Sequence, residues 1–494
     1  MGWSAGGSRA ELSSLGWAGA VAAVILTACT STGSGTTTST DEGPVTDYTG
    51  SLTLEPVIGR PGDVVTVTGI GFPPNTELTV TWSSYEGSWL IEGDAGEEYH
   101  GRQFTPTVTT IGAVTTDGSG GLSSEFVVPD DFGFGHDVRL VDQQGIIRNQ
   151  ALFTVGMDVS ISPESGPPGT PITIRVSGLG VDALEGNRQI TYDNRYTGWM
   201  SAVTTKGTAV AVIPATGGPG PHRIEVARGA FTFPYLNPAQ SPRPDILVYD
   251  GVFTVTDGDP VLPASLDVQT PAPAARSGFT PAGDGPWITS DVESGPVGTP
   301  LVVSGGGFDP GAVVSFTWYR IVGNRVAGQG WEERGIDFGM VTAGADGTLA
   351  MPTQLPSDVG GAHRVEASVA GSVVAVASVR ITPAADPLPQ TVAWGDQVDL
   401  HLTGVGWTET ANIYTLVYDN AYLGYVCGFN SQGDVIVPIT ATGAPGWHFI
   451  DVYPAIYKGV ETGGQQSFRI PMLTYAEHPG EDLPAFHFAF FIDG

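Results

Sequence analysis

Between Pro171 and Gly178 the chain alternates, with Ile172, Ile174 and Val176 interleaved with Thr173, Arg175 and Ser177. Val398, Leu400 and Leu402 alternate in the same way with Asp399 and His401. A period of two puts the apolar set on one face of an extended segment, the mark of a half-buried strand. Each such strand is opened by a Gly-led turn and followed by a Gly-rich corner. Next comes a strand that ends in an aromatic residue: Trp82, Tyr192, Trp318 and Tyr418 in turn. Polar turns around Gly118, Gly207, Gly347 and Gly433 come later. Each pass then reaches a histidine with an aliphatic residue two positions on, in the pairs His136/Val138, His222/Ile224, His363/Val365 and His448/Ile450. Four passes of about 100 residues, all short strands and turns, predict an all-β chain of four β-sandwiches.

The passes are related in a fixed order. Residues 169–222 and 395–448 align without a gap at an offset of 226 (418 − 192), and 13 of the 31 positions from Tyr192 to His222 are identical. The shared frame is Tyr-Asp-Asn-x-Tyr-x-Gly. A second pair joins "PGDVVTVTGIGFPPNTELTVTW" from Pro61 to "VGTPLVVSGGGFDPGAVVSFTW" from Val297. The order is therefore A-B-A′-B′. The expected boundaries are 51–156 for A, 157–258 for B, 287–384 for A′ and 385–494 for B′. A Pro/Ala-rich stretch at 259–286 reads as a semi-rigid linker. The stretches 83–115 and 319–343 read as long loops of the A modules. The last residues read as the closing strand of B′, because they parallel the end of B.

Residues 1–28 read as an export signal, with Arg9 ahead of an apolar run too short to span a bilayer as a helix. That run ends in Leu26-Thr27-Ala28-Cys29, which resembles the lipobox of bacterial lipoproteins. The resemblance implies cleavage before Cys29 and a lipid on that residue, which would hold the protein at the outer side of the membrane. An ordinary export signal with an incidental cysteine is the alternative. The Gly/Ser/Thr-rich residues 29–50 read as a flexible tether. The "PGDVVTVTGIGF" pattern resembles the immunoglobulin-like modules of bacterial surface proteins, of the IPT/TIG type. That resemblance implies four tandem immunoglobulin-like domains and adhesive, spacer or stalk roles.

Charge narrows the partners. Without Arg9 and Glu11 the net charge is still −31 (19 − 50), which repels nucleic acid and anionic lipid head groups. Apolar residues make up 41% and charged ones 14%, the balance of a globular chain. Cys427 is the one cysteine besides Cys29, so no disulfide framework is expected. It aligns with Ser201 and reads as a buried thiol.

Candidate chemistry is sparse. The four module histidines share a strand face with apolar neighbours and read as structural. No GxSxG elbow or HExxH pair occurs, and "GLGVDA" from Gly178 leads into a strand pattern rather than a helix. No enzyme activity is expected. Glu92, Asp94, Glu97 and Glu98 form an acidic group that offers oxygen ligands for Ca²⁺, although EF-hand spacing is missing. Tyr192, Asp193, Asn194, Tyr196 and Trp199, with Tyr418, Asp419, Asn420 and Tyr422, are the candidate ligand-binding residues, since they combine stacking faces with hydrogen-bonding groups. The competing reading makes Asp-Asn a two-residue hairpin turn. The expected function is adhesive or architectural, through a protein or polysaccharide at the cell surface; carbohydrate or solute binding by the B modules, or a role as accessory protein to a surface hydrolase, is the alternative.

Overall fold

The computed structural model describes residues 45–92, 98–182, 186–229, 234, 236–240, 247–263, 285–324, 330–428, 430–457, 469–479 and 483–494. The signal, Cys29, Asp94, Glu97 and most of both the tether and the 259–286 linker lie outside them. Each module packs a three-stranded sheet on a five-stranded one. In A the small sheet holds Ser51–Glu55, Val64–Ile70 and Leu122–Val127. The large sheet runs Ile58–Gly59, Ile147–Val155, Phe134–Val141, Glu77–Glu92, Glu98–Thr115. The chain changes sheets early: Ser51–Glu55 pairs antiparallel with Val64–Ile70, and Ile58–Gly59 then lies parallel to Ile147–Val155. The same 3 + 5 arrangement recurs three more times. The protein is all-β, with four tandem immunoglobulin-like β-sandwich domains. Among the described residues, no helix is long and apolar enough to cross a membrane.

Alternation fixes the cores. Ile172, Ile174 and Val176 are buried against Ala211, Ile213 and Phe253, while Thr173 and Arg175 turn outward. Each such aliphatic contributes roughly 1.5–3 kcal/mol. The final strand, Phe486–Asp493, pairs with Gly446–Ala455 and closes B′.

The stretches 83–115 and 319–343 are not loops. Glu77–Glu92 and Glu98–Thr115 form one long hairpin, and Val313–Asn324 pairs with Gly330–Thr342 as another. Trp82 therefore stands within a strand rather than at its end. Alternation holds only at the base of the A arm, where Leu78, Val80 and Trp82 face the core. Beyond Trp82 the arm has no second sheet of its own to cover, so the period that marks a half-buried strand fades.

Under each arm lies a buried polar corner. Trp82 donates from Nε1 to Asp131 Oδ2 at 2.8 Å, and the Ser84 hydroxyl donates to Asp131 Oδ1 at 2.7 Å. His136 stacks on Trp82 with centroids 4.4 Å apart. A′ repeats this with Trp318, Asp358 and His363: the indole donates at 2.9 Å and the stacking distance is 4.7 Å. In all four modules the histidine Nε2 bonds the carbonyl oxygen four residues upstream, at Phe132, Gly218, Val359 and Ala444. Asp131→Ala leaves the Trp82 indole N–H and the Phe132 N–H without this acceptor in a buried corner, and is expected to cost about 2–4 kcal/mol. Asp131→Asn keeps one acceptor and is expected to cost less; urea denaturation of both variants checks the order.

Candidate functional site

The Tyr-Asp-Asn frame is a hairpin in both copies. Asp193 and Asn194 have φ of 49° and 62°, and Asp419 and Asn420 have 48° and 59°. Two successive positive φ values are what a two-residue hairpin turn requires, and Asp and Asn tolerate them. Asp193 Oδ2 lies 2.6 Å from His222 Nδ1, and Oδ1 accepts the Arg223 N–H at 2.9 Å. Asp419 holds His448 and the Phe449 N–H in the same way, at 2.6 and 3.0 Å. Tyr192 and Tyr418 are buried, and their hydroxyls donate to the Thr216 and Thr442 carbonyls at 2.9 and 2.6 Å. Burial raises the pKa of Tyr192, and pushes Tyr418 up to about 12.

Past the turn the two copies diverge, because B and B′ meet there. Trp199 donates its backbone N–H to the Pro471 carbonyl at 2.9 Å and accepts the Leu473 N–H at 2.8 Å. Residues 471–473 of B′ thus lie parallel to the edge strand Arg195–Ser201 of B. Leu473 enters the B core. Gly198 makes the approach possible: a Cβ there would stand 2.6 Å from the Pro471 oxygen and 2.8 Å from Leu473 Cδ2. Asn420 is wholly buried, donating to the Pro214 carbonyl at 2.8 Å, whereas Asn194 is exposed. Thr197 donates to the Asn420 carbonyl at 2.8 Å.

The A arm enters the same junction. Trp89 packs with Trp199, Ile470, Met472, Tyr196 and Tyr422. Lys206 of B and Glu86 of the arm are 3.1 Å apart, and Tyr99 donates its N–H to Glu409 of B′ at 2.8 Å. The A′ arm makes a shorter version against its own neighbour, through Ile321, Trp331, Val359 and Trp407. Of the candidate residues, Tyr196, Trp199, Asn420 and Tyr422 therefore come together, with Tyr196 and Tyr422 edge to face at 6.3 Å. Burial raises both phenols, Tyr422 to about 12.

Sequence reasoning passed over two contributors. One is the apolar run Ile470–Leu473, whose signal is an aliphatic patch with no alternating strand around it. The other is Glu477, whose Oε1 accepts the Thr204 and Thr205 N–H groups of B at 2.5 and 3.1 Å. Burial raises the Glu477 pKa above 4.5, opposed by hydrogen bonds from Val203, Thr204 and Thr205. The next residue, His478, is pushed down to about 4 by burial.

The equivalent edge of B′ looks different. Ala421–Cys427 is half exposed, with Leu423 at 56% and Tyr425 at 44%, against 1% for Trp199. Cys427 is exposed, not buried. Its counterpart Ser201 is covered, with its N–H donated to Thr474 Oγ1 at 3.0 Å. A groove of about 610 Å³ opens between this strand and Val435–Thr440, lined by Leu416, Tyr418, Asp419, Leu423, Tyr425 and Val437, with Arg195 at its rim. In the A arm, Glu92 and Glu98 face each other across the hairpin with His100 at 3.5 and 3.4 Å. Among the described residues, no group of three or more His, Cys, Asp or Glu is placed to hold a metal ion.

Because the folded pKa of Glu477 is raised, its contribution to stability is full below pH 4.5 and is lost as pH rises through the folded value. Glu477→Gln keeps the Oε1 acceptor without the buried charge, so its stability is expected to change less over about pH 4–8. Glu477→Ala removes the acceptor of backbone N–H groups at Thr204 and Thr205 and is expected to cost about 1–3 kcal/mol. Denaturation midpoints across that pH range measure both.

No family model and no curated protein matches the chain. Among solved structures, Salmonella alpha-2-macroglobulin reacted with methylamine is 10% identical over 90% of this chain and 31% of its own, with a TM-score of 0.19. The chain spans well under half of that protein and of the trypsin-activated Escherichia coli alpha-2-macroglobulin (42%). The Yersinia pseudotuberculosis adhesin InvE is 14% identical over 49% of this chain and 66% of its own, at TM-score 0.15. The ICAM-5 D1-D4 ectodomain fragment is 11% identical over 85% and 99%, also at 0.15. TM-scores of this size say nothing about activity or partner; the fold assignment rests on the chain's own sheets.

Proposed function

We propose that this is an exported, lipid-anchored protein of the bacterial cell envelope whose immunoglobulin-like modules, IPT/TIG-like in pattern, hold a fixed surface for an adhesive or architectural task without catalysis. The observation that carries the reading is the interlocking of B, B′ and the A arm around Trp199. The aromatic faces of Tyr196, Trp199 and Tyr422 are used there to hold modules together, and Asp193 and Asp419 hold His222 and His448 within their own modules. A chain that invests its polar residues in fixed junctions is suited to presenting surface rather than to turnover. The lipobox-like Leu26–Cys29 supports the anchor, and the charge of −31 supports a protein or polysaccharide partner over nucleic acid.

A second reading, capture of a carbohydrate or solute, is favoured at B′ alone. The open groove beside Tyr418, Asp419 and Tyr425 supports it, whereas the B counterpart is filled by Leu473.

Expressed in a bacterial host, the chain is expected in the membrane fraction, and Cys29→Ser is expected to move it to the soluble exported fraction. Equal membrane partition of the two proteins would sink the anchor. A glycan and matrix-protein array, run with and without Ca²⁺, separates adhesion from solute capture: binding lost in Tyr425→Ala favours the groove, and binding that survives favours the wider surface.

A further inference from the structure

A cavity of about 310 Å³ lies between B and B′, at the lower end of the range for small-molecule sites. Pro171, Val212 and Pro214 of B, Leu262 just beyond B, and Phe449 and Asp451 of B′ line it. Asp451 is only 3% exposed. Its Oδ1 lies 2.6 Å from His487 Nδ1, and among the described residues nothing donates to Oδ2. The twin position in B shows what is missing. Asp451 pairs opposite Val417 as Glu225 does opposite Thr191. In B the cation is built in, since Arg223 lies 3.0 Å from Glu225 and 2.7 Å from Asp250. Two residues before Asp451 the chain carries Phe449 where B carries Arg223. B′ thus keeps the carboxylate, buries it and drops the guanidinium, and no Lys or Arg lines the cavity. A buried carboxylate oxygen without a donor is costly, and a cationic donor offsets that cost best.

We propose that this cavity binds a small organic cation, a primary ammonium on a compact apolar body, with the ammonium on Asp451 Oδ2 and the body against Pro171, Pro214, Leu262 and Phe449. An amine fits where a metal ion does not, because the apolar walls offer none of the further oxygen ligands that a hard cation needs. The Phe449 ring adds attraction for a cation at close range. The charge of −31 draws cations toward the protein as a whole. One site per chain follows, since the carboxylate at the twin position is already paired with Arg223. The walls come from both modules, so occupation ties B to B′ and acts on the junction rather than on the outer surface. The assignment stands apart from the adhesive reading, and the cavity is distinct from the groove beside Tyr425.

The probe is benzylamine, titrated by calorimetry into the full chain in mild detergent, with benzyl alcohol as a neutral comparator of nearly the same shape. Saturable binding at one site is expected, with the alcohol about tenfold weaker, the effect of losing one charge-assisted hydrogen bond. Asp451→Asn keeps the shape and an oxygen for His487. It is expected to weaken benzylamine about tenfold and to leave benzyl alcohol unchanged, whereas a folding defect would weaken both alike. Val212→Trp, at a half-exposed position of the wall, is expected to abolish binding of both by filling the seat. The comparison of amine with alcohol needs no variant and serves if either one misfolds. Absence of saturation by benzylamine overturns the proposal. Equal affinity for amine and alcohol, or benzylamine binding unchanged in Asp451→Asn, removes the carboxylate from the site and overturns it as well. So does binding unchanged in Val212→Trp, which would place the amine elsewhere on the acidic surface.

Discussion

An open sheet ends in a strand whose outward N–H and C=O groups need water or another strand. In B that need is met by B′. Two backbone bonds at Trp199, one from its own N–H and one to its carbonyl, add residues 471–473 to the large sheet. Much else at the junction follows from this addition. Leu473 reaches the B core only because the strand carrying it lies against Gly198, and Glu477 reaches Thr204 and Thr205 four residues further along the same segment. Met472 then supplies the surface on which Trp89 of the A arm packs.

Duplication made two such edges, and the added strand at 471–473 lies on the one from B. The contact is not a two-fold exchange in which each copy treats the other alike. Asn420 is buried against Pro214 while Asn194 faces solvent. Gly198 is crowded and Gly424 is not; Ser201 is covered and Cys427 is exposed. Identical or aligned residues thus do different work, and what separates them is the company each strand keeps rather than its own sequence.

That distinction marks how far the sequence could be read. Period-two strands such as Pro171–Ser177 and Gln397–Thr403 were legible because their pattern depends only on one buried face. The Asp-Asn turns were legible because their backbone geometry restricts residue type. The arms were not, since beyond Trp82 their faces pack on other modules and lose the alternation. The added strand was hidden too: three residues with Pro at one end carry no period, and their partner lies more than 270 positions away in sequence. For Cys427, alignment to Ser201 transferred a burial that belongs to the B–B′ contact and not to the position.

The arms explain why the first unit is held to the second at more than one place. The A arm reaches past B to Glu409 and Ile456 of B′, while the A′ arm stops at Trp407 and Gln432 of its own neighbour. B′ therefore receives the A arm, the 471–473 pairing with B, and the Gly360 N–H to Val405 carbonyl bond from A′ at 3.1 Å. Two of the three attachments meet at one corner of B′, where Val405 and Trp407 take A′ and Glu409 takes the A arm. Ala421–Cys427, the B′ counterpart of Arg195–Ser201, belongs to this set through Tyr422, which packs with Trp199, Met472 and Trp89.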